Sequence, residues 1–172
     1  MPEDWTDRVL ERWAGLRAGD DMSHYQVTAR ISRIGLHLAR SQERVFAQFG
    51  LNRGDVGVLS ALRTAGRDQR LSPTELFKGL MLSSAGVTSR LDRLEERGLV
   101  RRTRHPNDRR GVLVELTEEG RTVLDDAVKA NTAVERDLVG GLATAERAQL
   151  AELLKRLLAD LESRVGEDSE GR

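Results

Sequence analysis

No cysteine occurs among the 172 residues, which excludes disulfides, thiolate zinc centres and peroxide sensing through cysteine oxidation. Aromatic residues make up 3% of the chain against 38% hydrophobic residues, a balance that suits a mainly helical protein. No apolar run is long enough to cross a membrane and the start of the chain lacks a signal-peptide pattern, so a cytoplasmic location is expected. Net charge is absent too, with 28 basic and 28 acidic residues. The three histidines, His24, His37 and His105, are scattered, and no two have the i, i+4 spacing of a helical metal site. Neither HExxH nor GxSxG nor a phosphate-cradling Gly-rich loop is present. The sequence therefore predicts no enzyme, no metal and no cofactor.

What is present is concentrated between Leu71 and Gly120. Ser72-Pro73-Thr74-Glu75 places Ser at a helix N-cap, Pro at the first helical position and Glu where it closes a capping box. Leu76, Phe77 and Leu80 give this short helix an apolar side. Ser83 and Ser84 are the next cap candidates, and Val87, Leu91 and Leu94 follow at helical spacing until Gly98. At about 100° per residue the opposite face carries Ala85, Ser89, Asp92, Arg93 and Glu96, with Thr88 on its flank. Small and hydroxylic residues allow close approach to a major groove, and Arg can read guanine or grip phosphate. An ordinary solvated face has the same look, so this helix alone does not decide the matter.

The following residues do more. Leu99 to Arg104 is strand-like, His105 to Gly111 is turn-rich, and Val112 to Leu116 alternates into a second strand, giving a hairpin with a basic tip. From Arg97 to Gly111 there are six Arg against one Asp. Residues 51–112 carry thirteen basic and seven acidic side chains, whereas residues 113–172 carry eight and fourteen. Positive charge thus collects where a polyanion would be bound.

The helix ending Leu91-Asp92-Arg93-Leu94-Glu95-Glu96-Arg97-Gly98-Leu99-Val100, the hairpin tip Asn107-Asp108-Arg109-Arg110-Gly111 and the closing Leu116-Thr117-Glu118-Glu119-Gly120 resemble the MarR (multiple antibiotic resistance regulator) family of winged helix-turn-helix regulators. The resemblance is dense over roughly fifty residues. It implies a mainly α fold, with a winged helix-turn-helix, a two-stranded β-hairpin wing, and N- and C-terminal dimerisation helices. It also implies a homodimer that binds double-stranded DNA at a pseudo-palindromic operator. Ser83, Ser84, Thr88, Ser89 and Arg93 are then expected at the major groove, Arg109 and Arg110 at the wing tip with Arg110 in the minor groove, and Asp108 and Asp92 as acids that support the wing.

Along the rest of the chain, Trp5 to Leu16 forms a first helical pattern, with Trp5, Val9, Leu10, Trp13 and Leu16 on one side. A second runs from about Ser23 to Phe49, with Val27, Ile31, Ile34, Leu38, Val45 and Phe49 as core or interface positions. Asn52 caps a third helix through Val56, Leu59 and Leu62, and Arg67 to Leu71 is a polar connection with room for a short strand beside the wing. Thr117-Glu118-Glu119 opens a helix carrying Val123, Leu124, Ala127, Val128, Val134 and Leu138. Thr144 caps the last, where Leu150, Leu153, Leu154, Leu157, Leu158 and Leu161 make a stripe broader than one neighbour requires. A second subunit covers such a stripe in the family's architecture, with Leu154, Leu158 and Leu161 as dimer contacts. Burial within the monomer is the other reading.

The expected domains are thus residues 1–50 as N-terminal helices of the dimerisation region, 51–117 as the DNA-binding domain, 118–165 as C-terminal dimerisation helices and 166–172 as a disordered polar tail. By resemblance, a small aromatic or anionic effector releases a repressor of this kind from DNA. The urate-responsive branch uses an N-terminal Trp, an Asp and two Arg, which maps onto Trp5 or Trp13, Arg90 and Arg102. Where the acid aligns, this chain has Gly57, with Asp55 two residues earlier, a departure that counts against urate. Two alternatives share the pattern: a DNA-binding module without effector response, and a helical scaffold whose basic hairpin holds an acidic protein.

Overall fold

Reciprocal capping fixes the starts of three helices. Asp4 and Asp7 cap α1 (Trp5–Leu16), Asn52 and Asp55 cap α3 (Arg53–Thr64), and Ser72 and Glu75 cap α4 (Pro73–Leu80). In each, an acid three residues into the turn accepts the N-cap backbone N–H that the helix cannot use. The Glu75 carboxyl is held below its ordinary range by the Ser72 N–H and then by the Ser72 hydroxyl. The remaining elements are α2 (Ser23–Ala47), β1 (Arg70–Leu71), α5 (Ser84–Glu96), β2 (Val100–Arg104), β3 (Val112–Leu116), α6 (Glu118–Leu138) and α7 (Thr144–Glu170). This computed structural model describes residues 3–17, 19–66, 69–80, 84–106, 108 and 111–170.

The hairpin expected to have two strands is part of a three-stranded antiparallel sheet in the order β1-β3-β2. β1 adds to the free edge of β3, and Glu115 on the central strand lies opposite both Arg70 and Arg101. Beneath the sheet, Leu59, Leu62, Leu76, Val87, Leu91, Leu94, Val100, Val114, Leu116 and Leu124 are almost wholly withdrawn from solvent. The inward faces of α3 and α5 and Leu76 of α4 therefore form one core, with Phe77, expected on the apolar side of α4, left exposed, and this burial is the main force that sets α5 against the sheet.

The chain leaves α5 through Gly98, at φ +70°, a left-handed conformation that favours glycine. It enters α6 where Thr117 Oγ1 accepts the Gly120 N–H at 3.0 Å and donates to the Gly98 carbonyl at 2.7 Å. Gly120 permits this approach. A Cβ there would lie 1.9 Å from the Leu99 carbonyl oxygen.

Two compact units divide the chain, Met1–Thr132 and Ala133–Arg172. α1 and α2 belong to the first unit, with the elements from α3 to β3. A specific contact helps to join them to it: Arg97, just beyond α5, donates to the Phe49 carbonyl at 3.1 Å and to that of Gly50, in the turn that follows α2. Only Val45 and Phe46 of α2 are buried, while Val27, Ile31 and Ile34, expected as core or interface, are exposed in the single chain. In the second unit Leu150, Leu153, Leu154, Leu157, Leu158 and Leu161 are exposed in the single chain. The tail expected to be disordered is helical as far as Glu170; no proline lies between Gly166 and Glu170 to stop α7.

Gly120→Ala should destabilise the protein by about 2–3 kcal/mol, because its neighbour is backbone and cannot rotate away. Urea denaturation followed by circular dichroism measures this, with Gly141→Ala, a site with open space around it, as the comparison.

Candidate nucleic-acid interface

The apolar triad Val87, Leu91 and Leu94 fixes which side of α5 faces the core and leaves Thr88, Ser89, Asp92, Arg93 and Glu96 exposed. Of the residues expected at the major groove, Ser84 opens the helix, Thr88 and Ser89 lie on this outer face, and Ser83 lies outside the described residues. Arg93 differs from the simple expectation. Its guanidinium turns back onto Asp55, an acid only 1% exposed at the start of α3. Arg90 donates to the same Asp55 oxygen through Nε at 3.3 Å. A buried carboxylate demands such partners, since without them its loss of hydration would not be offset.

The wing is tied to the same helix by a second set of pairs. Arg102 on β2 donates to Asp92 Oδ1 at 2.6 Å and to Glu95, and its own backbone N–H donates to Glu95 Oε1 at 3.1 Å. Hydrogen bonding to Asp92 and the nearby Glu95 charge hold the Arg102 guanidinium above its ordinary pKa. Across the sheet, Arg101 donates to Glu115 Oε1 at 2.6 Å while Arg70 donates to Oε2. Burial pushes the Glu115 carboxyl upward, but the two guanidinium groups outweigh it and the net shift is downward.

At the hairpin tip, His105 N–H donates to the Gly111 carbonyl at 2.9 Å and Gly111 N–H to the Asp108 carbonyl at 3.0 Å. The Asp108 side chain packs beside Gly111, where a Cβ would sit 2.8 Å from His105 Cβ and 3.0 Å from Asp108 Oδ2. Arg109 and Arg110 lie outside the described residues. The arithmetic of six Arg against one Asp overstates the field of this surface, because Asp92, Glu95 and Glu115 reach Arg101 and Arg102 from neighbouring positions.

The residues expected to share an effector site are separated. Trp5 and Trp13 line a mainly apolar pocket of about 270 Å³ between α1 and α2, together with Thr6, Leu10, Arg17 and Tyr25. The Arg33 guanidinium lies over the Trp5 ring at 4.8 Å and that of Arg17 over Trp13 at 5.9 Å. Arg90 and Arg102 do not line this pocket and hold acids instead. Sequence reasoning missed the roles of Asp55 and Glu115. The capping pattern Asn52-x-x-Asp55 was a signal for the first; the second needed strand register.

Glu115→Gln should remove about 1–2 kcal/mol at neutral pH, reduced from a fully buried pair by the exposure of both arginines. With its folded pKa lowered, Glu115 stabilises above the unfolded glutamate range and loses that contribution as pH falls through the lower folded value. The variant's deficit should therefore shrink on acidification, as seen by urea denaturation across the acid range.

The fold has counterparts among known proteins. The MarR family model matches residues 57–112. The HTH-type transcriptional regulator PecS of Dickeya dadantii is 32% identical over 149 residues, covering 87% of this chain and 90% of that protein. A mutant of Escherichia coli MarR solved with operator DNA superposes with a TM-score of 0.69 at 28% identity, covering 81% of this chain and 99% of that one. BpsR of Bordetella bronchiseptica, whose DNA binding is regulated by 6-hydroxynicotinic acid, gives 0.66 at 26% identity over 82% of this chain and 95% of its own. These similarities run well beyond the winged segment, and the chain belongs to the MarR family of winged helix-turn-helix, DNA-binding transcriptional regulators, which are not enzymes.

Proposed function

We propose that the protein is a homodimeric repressor that places two copies of α5 in successive major grooves of a pseudo-palindromic operator. The observation that carries this reading is the outer face of α5, where Ser89 and Thr88 stand exposed on a helix held by ion pairs to α3 and to the wing. Hydroxyls there reach base edges or phosphates, and Arg93 adds a charged donor. By the resemblance of their sequence segments to the family's, Ser83, Ser84, Arg109 and Arg110 are assigned to DNA contact as well. Asp92 supports the wing through Arg102, and Asp108 orders its tip beside Gly111.

Dimerisation is assigned to the exposed apolar positions of both ends of the chain, Val27, Ile31 and Ile34 of α2 and Leu154, Leu158 and Leu161 of α7. Leaving so many large side chains in water is unfavourable, and a two-fold partner would remove them from it. The functional division is then residues 51–117 for DNA and 1–50 with 118–165 for the dimer.

Release by a small aromatic or anionic effector fits two features. The pocket beside Trp5 and Trp13 offers apolar walls and the Arg17 charge. Any anion that took Arg90 or Arg102 would displace Asp55 or Asp92 and so loosen α5. Gly57 in place of an acid separates this chain from the urate-binding pattern.

Selection from a random-sequence duplex library tests the proposal. The enriched sites should be pseudo-palindromic, with half-site centres about 34–36 Å apart along the duplex. Leu154→Asp with Leu158→Asp should convert a sedimenting dimer to a monomer and weaken binding to the enriched duplex at least about a hundredfold, since each half then binds alone. Enrichment of single, unpaired sites by a wild-type monomer would refute the two-fold reading.

A further inference from the structure

Asp55 is used twice by the fold. Its Oδ2 accepts the Asn52 N–H at 3.0 Å, so the turn that starts α3 sets the carboxylate's direction before any arginine arrives. Its Oδ1 receives Arg90 Nε and an N–H of Arg93, both from α5. Two cations thus meet one anion, and they are not equivalent: the Arg90 side chain is 21% exposed and that of Arg93 48%. Arg90 is the inner partner, and position 54 is shaped for it. A Cβ on Gly54 would lie 2.3 Å from Arg90 Nη2, so a larger residue there would push the Arg90 guanidinium from its present place beside Asp55.

We propose that Asp55 is a positioning residue for DNA binding, fixing the Arg93 guanidinium so that its remaining N–H groups meet the nucleic acid while Arg90 keeps the buried carboxylate neutralised. This rests on the reading that the outer face of α5 meets DNA. An unrestrained arginine must give up rotamer freedom when it binds, and a guanidinium already fixed by a buried acid loses less. The same acid, unneutralised and close to phosphate, would repel the ligand. Arg90 removes that penalty, which explains why one carboxylate needs two arginines. Asp55 touches no DNA in this arrangement; its effect passes through Arg93.

A double-mutant cycle on operator affinity tests the assignment. The probes are the duplex enriched by the wild-type protein and a scrambled duplex of the same composition, at one salt concentration, with folding checked by circular dichroism and urea denaturation. Arg93→Ala should weaken binding to the enriched duplex about tenfold or more. Asp55→Asn should weaken it roughly 2- to 10-fold in the wild-type background and by less than about twofold when Arg93 is already Ala. Asp55→Glu keeps the charge and the capping box but moves the carboxylate by a methylene, so it preserves folding and should show the same dependence on Arg93. Equal losses from the Asp55 variants with and without Arg93 would reduce Asp55 to a stabilising residue and overturn the proposal. Tighter binding by Asp55→Asn would overturn it as well, showing that the acid competes with DNA for Arg93. Absence of any wild-type preference for the enriched duplex would remove the operator reading and this assignment together, whereas a selective wild type with additive losses would remove the assignment alone.

Discussion

A carboxylate taken out of water needs compensating partners, and the Asp55 carboxylate, 1% exposed, has its charged partners on a different helix. That requirement ties the start of α3 to the middle of α5. Hydrophobic burial of Val87, Leu91 and Leu94 brings α5 to the core, but an apolar stripe tolerates rotation and sliding that a hydrogen-bonded acid does not. Breaking such a pair strands a buried charge, whereas a shifted leucine contact loses little. Asp55 therefore contributes less to net stability than to the uniqueness of the helix position.

Two further contacts act on the same helix from other directions. Arg102 brings β2 to Asp92 and Glu95, and Arg97 brings the end of α2 to the end of α5. All three use arginine, whose planar fork of donors can bond two groups at fixed angles. The helix is thereby referred to α3, to the sheet and to α2 at once. A perturbation reaching any of these contacts has a physical route to α5.

Much of this layout is legible in the sequence because it rests on local signals. Ser72-Pro73-Thr74-Glu75, Gly98 and the alternating Val112 to Leu116 each act through neighbouring residues, and the structure places the helix start, the helix stop and the strand as those residues imply. What local signals do not carry is pairing between distant segments. Arg93 belongs to the outer face of its helix by periodicity, yet its side chain is long enough to reach Asp55, thirty-eight residues earlier. Arg90 and Arg102 sit at positions suggestive of anion binding, and only the folded chain shows the acids already bound to them. The charge of the hairpin was overestimated for the same reason, since Asp92, Glu95 and Glu115 are outside a window centred on the tip. The apolar positions of α2 and α7 read as core or interface alike, because periodicity records a hydrophobic face without recording what covers it.

Native-state hydrogen exchange across α5 tests most directly whether these pairs make that helix a fixed part of the core. With Asp55, Arg97 and Arg102 all engaged, the amides of residues 91–96 should exchange as slowly as the slowest amides of α3, opening only with global unfolding. Exchange of those amides through a local opening, at least about a hundredfold faster than that of Leu59 and Leu62, would contradict the account.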